Sequence, residues 1–404
     1  MAVLPIYFDN NATTPCDPRV LETMLPFFTK HYGNAASKHH NFGWSAEAAV
    51  DIAREQVATL IGATAKEIVF TSGATEAVNL AIKGVAEMYA VKGNHIITTT
   101  VEHSAVLDTC RYLEKKGIEV TYLPVDKNGQ ISLTDLQAAI KPTTILIATI
   151  YANNETGTIF PIKEIGAIAK QNSILFFTDA TQAVGKLPVN VISDDIDLLA
   201  LSAHKLYGPK GVGALYVRRK NPRVQIQAQM LGGGHENGWR SGTLNVPGIV
   251  GLGKACSLAA NGLQTYPPQI QALRDKLEAG ILAIPETYLN GDKLNRLSNV
   301  SNISFRYVAH QALLTGITKD IAVSSGSACA SASGQPSHVL VAMGRGKQLA
   351  KSSIRFSLGI YTTDEEVAYV IKKITDVVTA IRAEGPLWQM GINNQLPDAE
   401  EWVI

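Results

Sequence analysis

Residues 174–213 read ILFFTDATQAVGKLPVNVISDDIDLLALSAHKLYGPKGVG. One apolar strand, Ile174 to Asp179, closes on a carboxylate, and a second, Leu198 to Ser202, is followed at once by Ala203, His204 and Lys205. Outward from this stretch the same kind of run recurs at Glu67 to Thr71, His95 to Thr100, Glu119 to Leu123, Ile145 to Ile150 and Ala214 to Val217. Helical spacing fills the gaps, as in Trp44, Ala48, Ile52, Val57, Leu60 and Ile61. Strands separated by helices imply crossover units, so the expectation is an α/β core with a mainly parallel sheet covered on both faces.

The chain has 404 residues, 46% hydrophobic and 18% charged, which excludes a disordered or low-complexity protein. Lys plus Arg number 36 against 35 Asp plus Glu, a balance unsuited to a domain that binds nucleic acid by counterion release. The first residues reach Asp9 without a signal-peptide pattern, and no run approaches the roughly 20 apolar residues that span a bilayer. A cytoplasmic protein with no membrane contact is expected. Cys16, Cys110, Cys256 and Cys329 are far apart and form no C-x-x-C pair, which argues against a zinc site or disulfide framework.

After about Gly262 the texture changes. Thr265 to Pro268, with two prolines, reads as a hinge or linker. A helix (Gln269 to Ile284), a strand (Val300 to Phe305), a Gly/Ser/Ala-rich loop (Ser324 to Gly334), a strand around Ser353 to Ser357 and a helix (Asp364 to Arg382) fit a smaller α+β domain. The expected division is a large domain over 15–262 and a small one formed by 1–14 with 263–404.

Ligands of open α/β sheets bind beyond the carboxyl ends of the strands, so Asp179 and Lys205 point to one crevice. A lysine for an imine and a carboxylate for a pyridine nitrogen are what pyridoxal phosphate requires. Taken alone, the pair is equally a surface lysine and a capping aspartate. Thr71-Ser72-Gly73-Ala74-Thr75-Glu76 opens a helix after a strand, where free N–H groups can cradle a phosphate, or where an ordinary capping box can stand. Ser202 and His204 offer further donors.

Eight motifs in order decide among these. They are Asp9 to Pro15, Thr71 to Glu76, Glu102-His103, Asn153-Asn154-Glu155, Asp179 to Gln182, Ser202 to Lys205, Arg240 to Thr243, and Ser325 to Cys329. Together the chain resembles, over essentially its whole length, the cysteine desulfurases, a group of the class V aminotransferases with the fold-type I pyridoxal-phosphate architecture. The likeness is strongest to the housekeeping branch that serves iron–sulfur cluster assembly, with the nitrogenase branch next. Tyr151-Ala152 and Ala203 depart from common family residues and blur the choice of branch.

The resemblance implies a role for each matching residue. Lys205 would carry pyridoxal 5'-phosphate covalently, Asp179 would pair with the ring nitrogen, and Gln182 would hydrogen-bond the ring hydroxyl. His103 would stack on the ring and act as acid/base. Ala74, Thr75, Ser202, Ala203 and His204 would hold the phosphate, joined by Thr243 of a neighbouring subunit in a homodimer. Asn154, beside the cofactor, and Arg355 would bind the carboxylate of L-cysteine. Cys329, on a loop of small residues expected to be mobile, would take the sulfur as a persulfide. The products would be L-alanine and sulfur for iron–sulfur clusters and tRNA thiolation.

The resemblance also implies partners. The segment from Pro386 to Trp402, with tryptophans read as exposed, would dock an IscU-like scaffold, where Cys329 would transiently ligate a [2Fe-2S] cluster. The cluster Arg218, Arg219, Lys220 and Arg223 reads as a solvated hairpin or as a basic patch for a frataxin-like protein or ferredoxin. The alternatives are a pyridoxal-phosphate aminotransferase, a selenocysteine lyase, and a non-catalytic sulfur-transfer scaffold.

Overall fold

The computed structural model describes residues 4–325, 335–396 and 398–404. Its strands in chain order are β1 (Ile6–Tyr7), β2 (Ile68–Thr71), β3 (His95–Thr99), β4 (Glu119–Leu123), β5 (Thr144–Ile150) and β6 (Leu175–Asp179). They continue with β7 (Leu198–Ser202), β8 (Gly213–Val217), β9 (Thr287–Asn290), β10 (Val300–Phe305), β11 (Ile321–Ala322) and β12 (Ser353–Ser357). Seven of them form one sheet in the order β2-β8-β7-β6-β5-β3-β4. The pairs joining β4, β3, β5, β6 and β7 are parallel, and β8 is antiparallel to both its neighbours. Two reversals cancel, so β2 runs the same way as β7. The carboxyl ends of β2, β3, β5, β6 and β7 therefore meet along one edge.

Both faces of this sheet are buried, which is why its strands read as unbroken apolar runs rather than alternating ones. Ile147, Phe176 and Leu199 enter one hydrophobic cluster, while Leu146, Phe177 and Leu198 enter the other. Phe176 and Phe177 are both fully buried, and each contributes about 1.5–3 kcal/mol of transfer free energy. The helix Ala74–Met88 covers one face, and Asn41–Leu60 and Val246–Gly262 pack together on the other.

A third cluster surrounds the antiparallel sheet β12-β10-β9. It takes in Ile303 and Phe356 from the strands, Val370, Ile374 and Val378 from the helix Asp364–Glu384, and Ile6 and Phe8 from the chain start. That helix begins where the sequence prepares it: the Thr363 hydroxyl accepts from the Glu366 N–H, and the Glu366 carboxylate accepts from the Thr363 N–H. No described helix is long and apolar enough to cross a membrane.

Three sequence expectations are corrected. Thr265 to Pro268 is not a hinge or linker but the start of the helix Tyr266–Leu282, because proline in a first turn forfeits no intrahelical hydrogen bond. Arg218 is no part of a solvated basic patch: it is buried, pairs with Asp197 at 3.1 Å, and donates to Ile196 O and Val191 O. The tail tryptophans are not exposed. Trp402 is buried with its ring 5.6 Å from Tyr307, and Trp388 lies against Tyr307 with the Arg382 guanidinium 4.3 Å above it. An indole covers more apolar surface by folding back on its own chain than by waiting in water.

Candidate active site

The five carboxyl ends surround a basin of about 480 Å³, a size typical of a small-molecule or cofactor site. Each strand delivers its residues to the basin in the turn that follows it. Beyond β2 come Gly73, Ala74 and Thr75; beyond β3, His103; beyond β5, Asn154; at and beyond β6, Asp179 and Gln182; and at and beyond β7, Ser202, His204 and Lys205. Arg355 arrives from β12 of the other sheet.

The helix Ala74–Met88 starts at Gly73 with no side-chain cap. Its first intrahelical bond runs from Ala77 N to Gly73 O, so the N–H groups of Ala74, Thr75 and Glu76 have no intrahelical partner. Gly73 has φ 156°, and a Cβ there would approach only Ser202 Oγ, at 3.9 Å. Gly213 is needed for a different reason: a Cβ would lie 2.5 Å from Leu201 O and 2.8 Å from the Gly73 backbone, so only glycine lets β8 pass beneath the turn. Glu76 would repel an anion here, but Arg240 grips its carboxylate at 2.6 and 3.2 Å and helps hold its pKa below the ordinary range despite burial.

Lys205 Nζ donates to Asn11 O at 2.7 Å and Ala12 O at 2.6 Å. Asp179 is buried, with Oδ1 accepting from the Thr181 N–H at 3.0 Å and its hydroxyl at 2.5 Å. His103 caps the helix Ser104–Glu114 by accepting the Ala105 N–H on Nδ1 at 3.1 Å, which puts the proton of the neutral ring on Nε2. Burial, then Lys205, Lys210 and Lys186, push His204 down to about 4, so its imidazole is neutral at pH 7. Arg355 is 1% exposed; Nη2 donates to Asp9 at 2.7 Å and Nη1 to Asn154 O at 3.1 Å, while Nε has no partner among the described residues.

These features fit pyridoxal phosphate. The uncapped helix start suits its phosphate and the fixed buried carboxylate suits its ring nitrogen, while the orphaned donor of the buried Arg355 guanidinium suits the carboxylate of an amino-acid substrate beside it. Not every expected residue joins. Ala203 turns its methyl into the core and its N–H to Val212 O, while Thr243, expected to serve a neighbouring subunit, lies exposed outside this chain's own basin. Cys329 lies outside the described residues. The chain on either side of 326–334 is tied to the basin's walls, with Arg355 N donating to Ser324 O at 2.7 Å and the Ser337 hydroxyl to Glu155 at 2.5 Å.

Sequence reasoning passed over Lys186, Asn11 as a hub, and the partnership of Asp9 with Arg355. Asp9 and Arg355 are 346 residues apart, and nothing local marks them as a pair. Asn11 O accepts from both Gln182 Nε2 (2.9 Å) and Lys205 Nζ (2.7 Å). The spacing of Lys186 four residues after Gln182 was the available signal for that contact.

Glu102 is fully buried, and burial pushes its pKa up to about 8, despite hydrogen bonds from the Ile150 N–H and the Thr99 hydroxyl. Its folded-state pKa lies above the unfolded value near 4.3, so it holds a proton in the folded chain that it loses on unfolding; its contribution to stability is full at about pH 4 and declines as pH rises toward 8. Glu102→Gln, which imitates the neutral acid, should flatten that decline. Thermal midpoints measured from pH 5 to 8 check this: the variant should gain on the wild type as pH rises, and parallel curves would contradict it.

The fold and the basin define a class V aminotransferase: the model of the family described as Aminotransferase class-V matches residues 6–370. A curated relative, cysteine desulfurase IscS of Anaeromyxobacter dehalogenans (strain 2CP-C), is 54% identical, with 96% of each chain covered. Two solved structures are similar. One, titled NIFS-LIKE PROTEIN, has TM-score 0.87 and 39% identity over 93% of this chain and all of its own. The other, SspA in complex with cysteine, has TM-score 0.79 and 39% identity over 89% of this chain and all of its own. The chain belongs to the cysteine desulfurases, pyridoxal-phosphate-dependent members of the class V aminotransferase family.

Proposed function

We propose that the chain converts L-cysteine to L-alanine with pyridoxal 5'-phosphate attached to Lys205, and passes the sulfur to Cys329 as a persulfide. The observation that carries this reading is the meeting of Lys205, Asp179, Gln182, His103 and Arg355 in one basin beside an uncapped helix start. When bound, the cofactor supplies an electron sink for the substrate's α-carbon. Asp179, fixed by Thr181, keeps the ring nitrogen protonated. The Arg355 guanidinium and Asn154 orient the substrate carboxylate. Lys205 would take the α-proton, and His103, whose Nδ1 is occupied by the Ala105 N–H, would exchange a proton with the substrate thiol through Nε2. The Cys329 thiolate attacks the substrate sulfur; the carbon–sulfur bond breaks with its electron pair going to carbon, and two protons complete alanine. The end-ties of segment 326–334 at Ser324 and Ser337 support this use of Cys329.

The purified protein incubated with L-cysteine should yield alanine and sulfide, and peptide mass analysis should find added sulfur on Cys329. Alanine without any sulfur-loaded Cys329 peptide would refute the role given to that thiol. Arg355→Lys should raise KM for L-cysteine about 10- to 100-fold, since a hydrogen bond to a charged group is worth about 1.5–3 kcal/mol. An unchanged KM in a folded variant would remove Arg355 from the substrate site.

The wider role follows the same reading. The product sulfur would serve iron–sulfur cluster assembly and tRNA thiolation in the cytoplasm. The printed name of the relatives supports the desulfurase step itself. A homodimer in which Thr243 reaches the other subunit's phosphate is supported by the exposure of Thr243. About half-exposed apolar side chains at Leu21, Leu25, Phe28, Tyr32, Phe42 and Trp44 argue the same way. The two-domain division at 14/15 and 262/263 is supported by the separate cluster that gathers Ile6, Phe8 and the C-terminal strands. Scaffold docking at the tail would use Ile392, Val403 and Ile404, which are about half exposed, rather than the buried Trp402 or the partly buried Trp388.

A further inference from the structure

A second lysine stands behind the basin. The turns after β6 bring Lys186 back under Gln182, with Val184 N bonded to Ala180 O and Leu187 N to Ala183 O. Lys186 Nζ donates to Gln182 Oε1 at 2.6 Å and lies 3.4 Å from Asn11 Oδ1. Lys186 lines a small space of about 50 Å³ with Asn299 and Tyr207 and does not reach the basin, which Gln182 lines; Lys205 stands between the two and lines both. Its placement is costly, because an amine removed from water with no carboxylate partner among the described residues recovers from two amide oxygens only part of the hydration it loses. The charged groups that act on it are Lys205 and Arg355; His204, neutral at pH 7, is also near, and Asp17 and Arg19, which line the same small space, are paired with each other. The carboxylates of the same wall are engaged elsewhere, Asp9 with Arg355 and Asp179 with Thr181. Burial, then Lys205 and Arg355, push the Lys186 amine down to about 7.

The amide of Gln182 is held at both ends. Its Nε2 donates to Asn11 O at 2.9 Å, and its Oε1 receives Lys186. An amide oxygen that accepts a hydrogen bond from an amine cannot also swing round to face the basin, so the second hydrogen of Nε2 is what Gln182 offers there. As ammonium or as amine, Nζ draws electron density toward Oε1 and strengthens that Nε2–H donor. Resting on the reading of Gln182 as donor to the cofactor's ring hydroxyl, we propose that Lys186 is a positioning residue that locks and polarises the Gln182 amide.

The test uses holoenzyme variants K186M, K186R, Q182A and the double variant Q182A/K186M. It reads the pH midpoint of the bound cofactor's visible absorption change, the cofactor content, and kcat against KM. Removing a nearby positive charge and weakening a donor to an anionic oxygen both favour the protonated cofactor. K186M should therefore move the midpoint upward by about one pH unit. Q182A should move it in the same direction, K186R should stay near the wild type, and K186M should add less than half its own shift in the Q182A background. A midpoint unmoved by K186M but moved by Q182A overturns the inference and leaves the Gln182 reading intact. A midpoint unmoved by Q182A overturns that reading and the inference with it. Fully additive shifts overturn the action through Gln182. If K186M fails to retain cofactor, K186Q replaces it: its neutral amide still donates, so a smaller upward shift is expected, and none overturns the inference.

Discussion

Lys205→Ala should abolish covalent retention of pyridoxal phosphate and lower alanine formation from L-cysteine about 10³-fold or more, the scale on which a nucleophile and proton carrier act together. Borohydride treatment before digestion should fix the cofactor to the Lys205 peptide of the wild type and to no peptide of the variant. Three lysines stand near enough for the question to be real. Lys210 lines the same basin, and Lys186, with its amine pushed down to about 7, has a nucleophilic neutral form at neutral pH. Geometry decides against Lys186, whose Nζ is committed to Gln182 Oε1 and which does not line the basin. Lys205 follows β7 directly and reaches the carbonyls of Asn11 and Ala12 at the basin's edge. A reduced cofactor found on Lys186 or Lys210 in the wild type would overturn this assignment.

Cys329→Ala should leave cofactor binding intact and still let L-cysteine perturb the visible spectrum, while sulfide and alanine both fall about 10³-fold or more. The reaction needs a thiolate, because the protonated thiol is a poor nucleophile. The remaining cysteines cannot stand in. Burial pushes Cys110 and Cys256 up to about 12, and Cys16 is also raised by burial and by Asp17. Steady sulfide production by the variant would defeat the proposed role of Cys329.

Much of this was readable along the chain. Runs such as Ile145 to Ile150 are apolar on both faces because the sheet is covered on both, and that pattern announces a parallel α/β core without coordinates. Asp179, Lys205, His103 and Gly73 each lie within a few residues of a strand's end, so a rule about strand ends puts them in one crevice. The errors share a cause. Proline at 267 and 268 can break a helix or begin one, and Arg218 or Trp402 can face water or partner, depending on what packs beside them. Local sequence holds no record of that neighbour.

Local patterns along the chain settle which runs become strands, the turns at their ends and the residue types that pyridoxal chemistry needs. Packing settles that β2 runs with β7 through two antiparallel pairings, that Asp9 meets Arg355 across 346 residues, and that Lys186 stands behind Gln182. Periodicity and turn chemistry are properties of neighbours in the chain. Ion pairs and buried hydrogen bonds depend on distances that exist only after separate segments have packed, which is where the basin acquires its charges and donors.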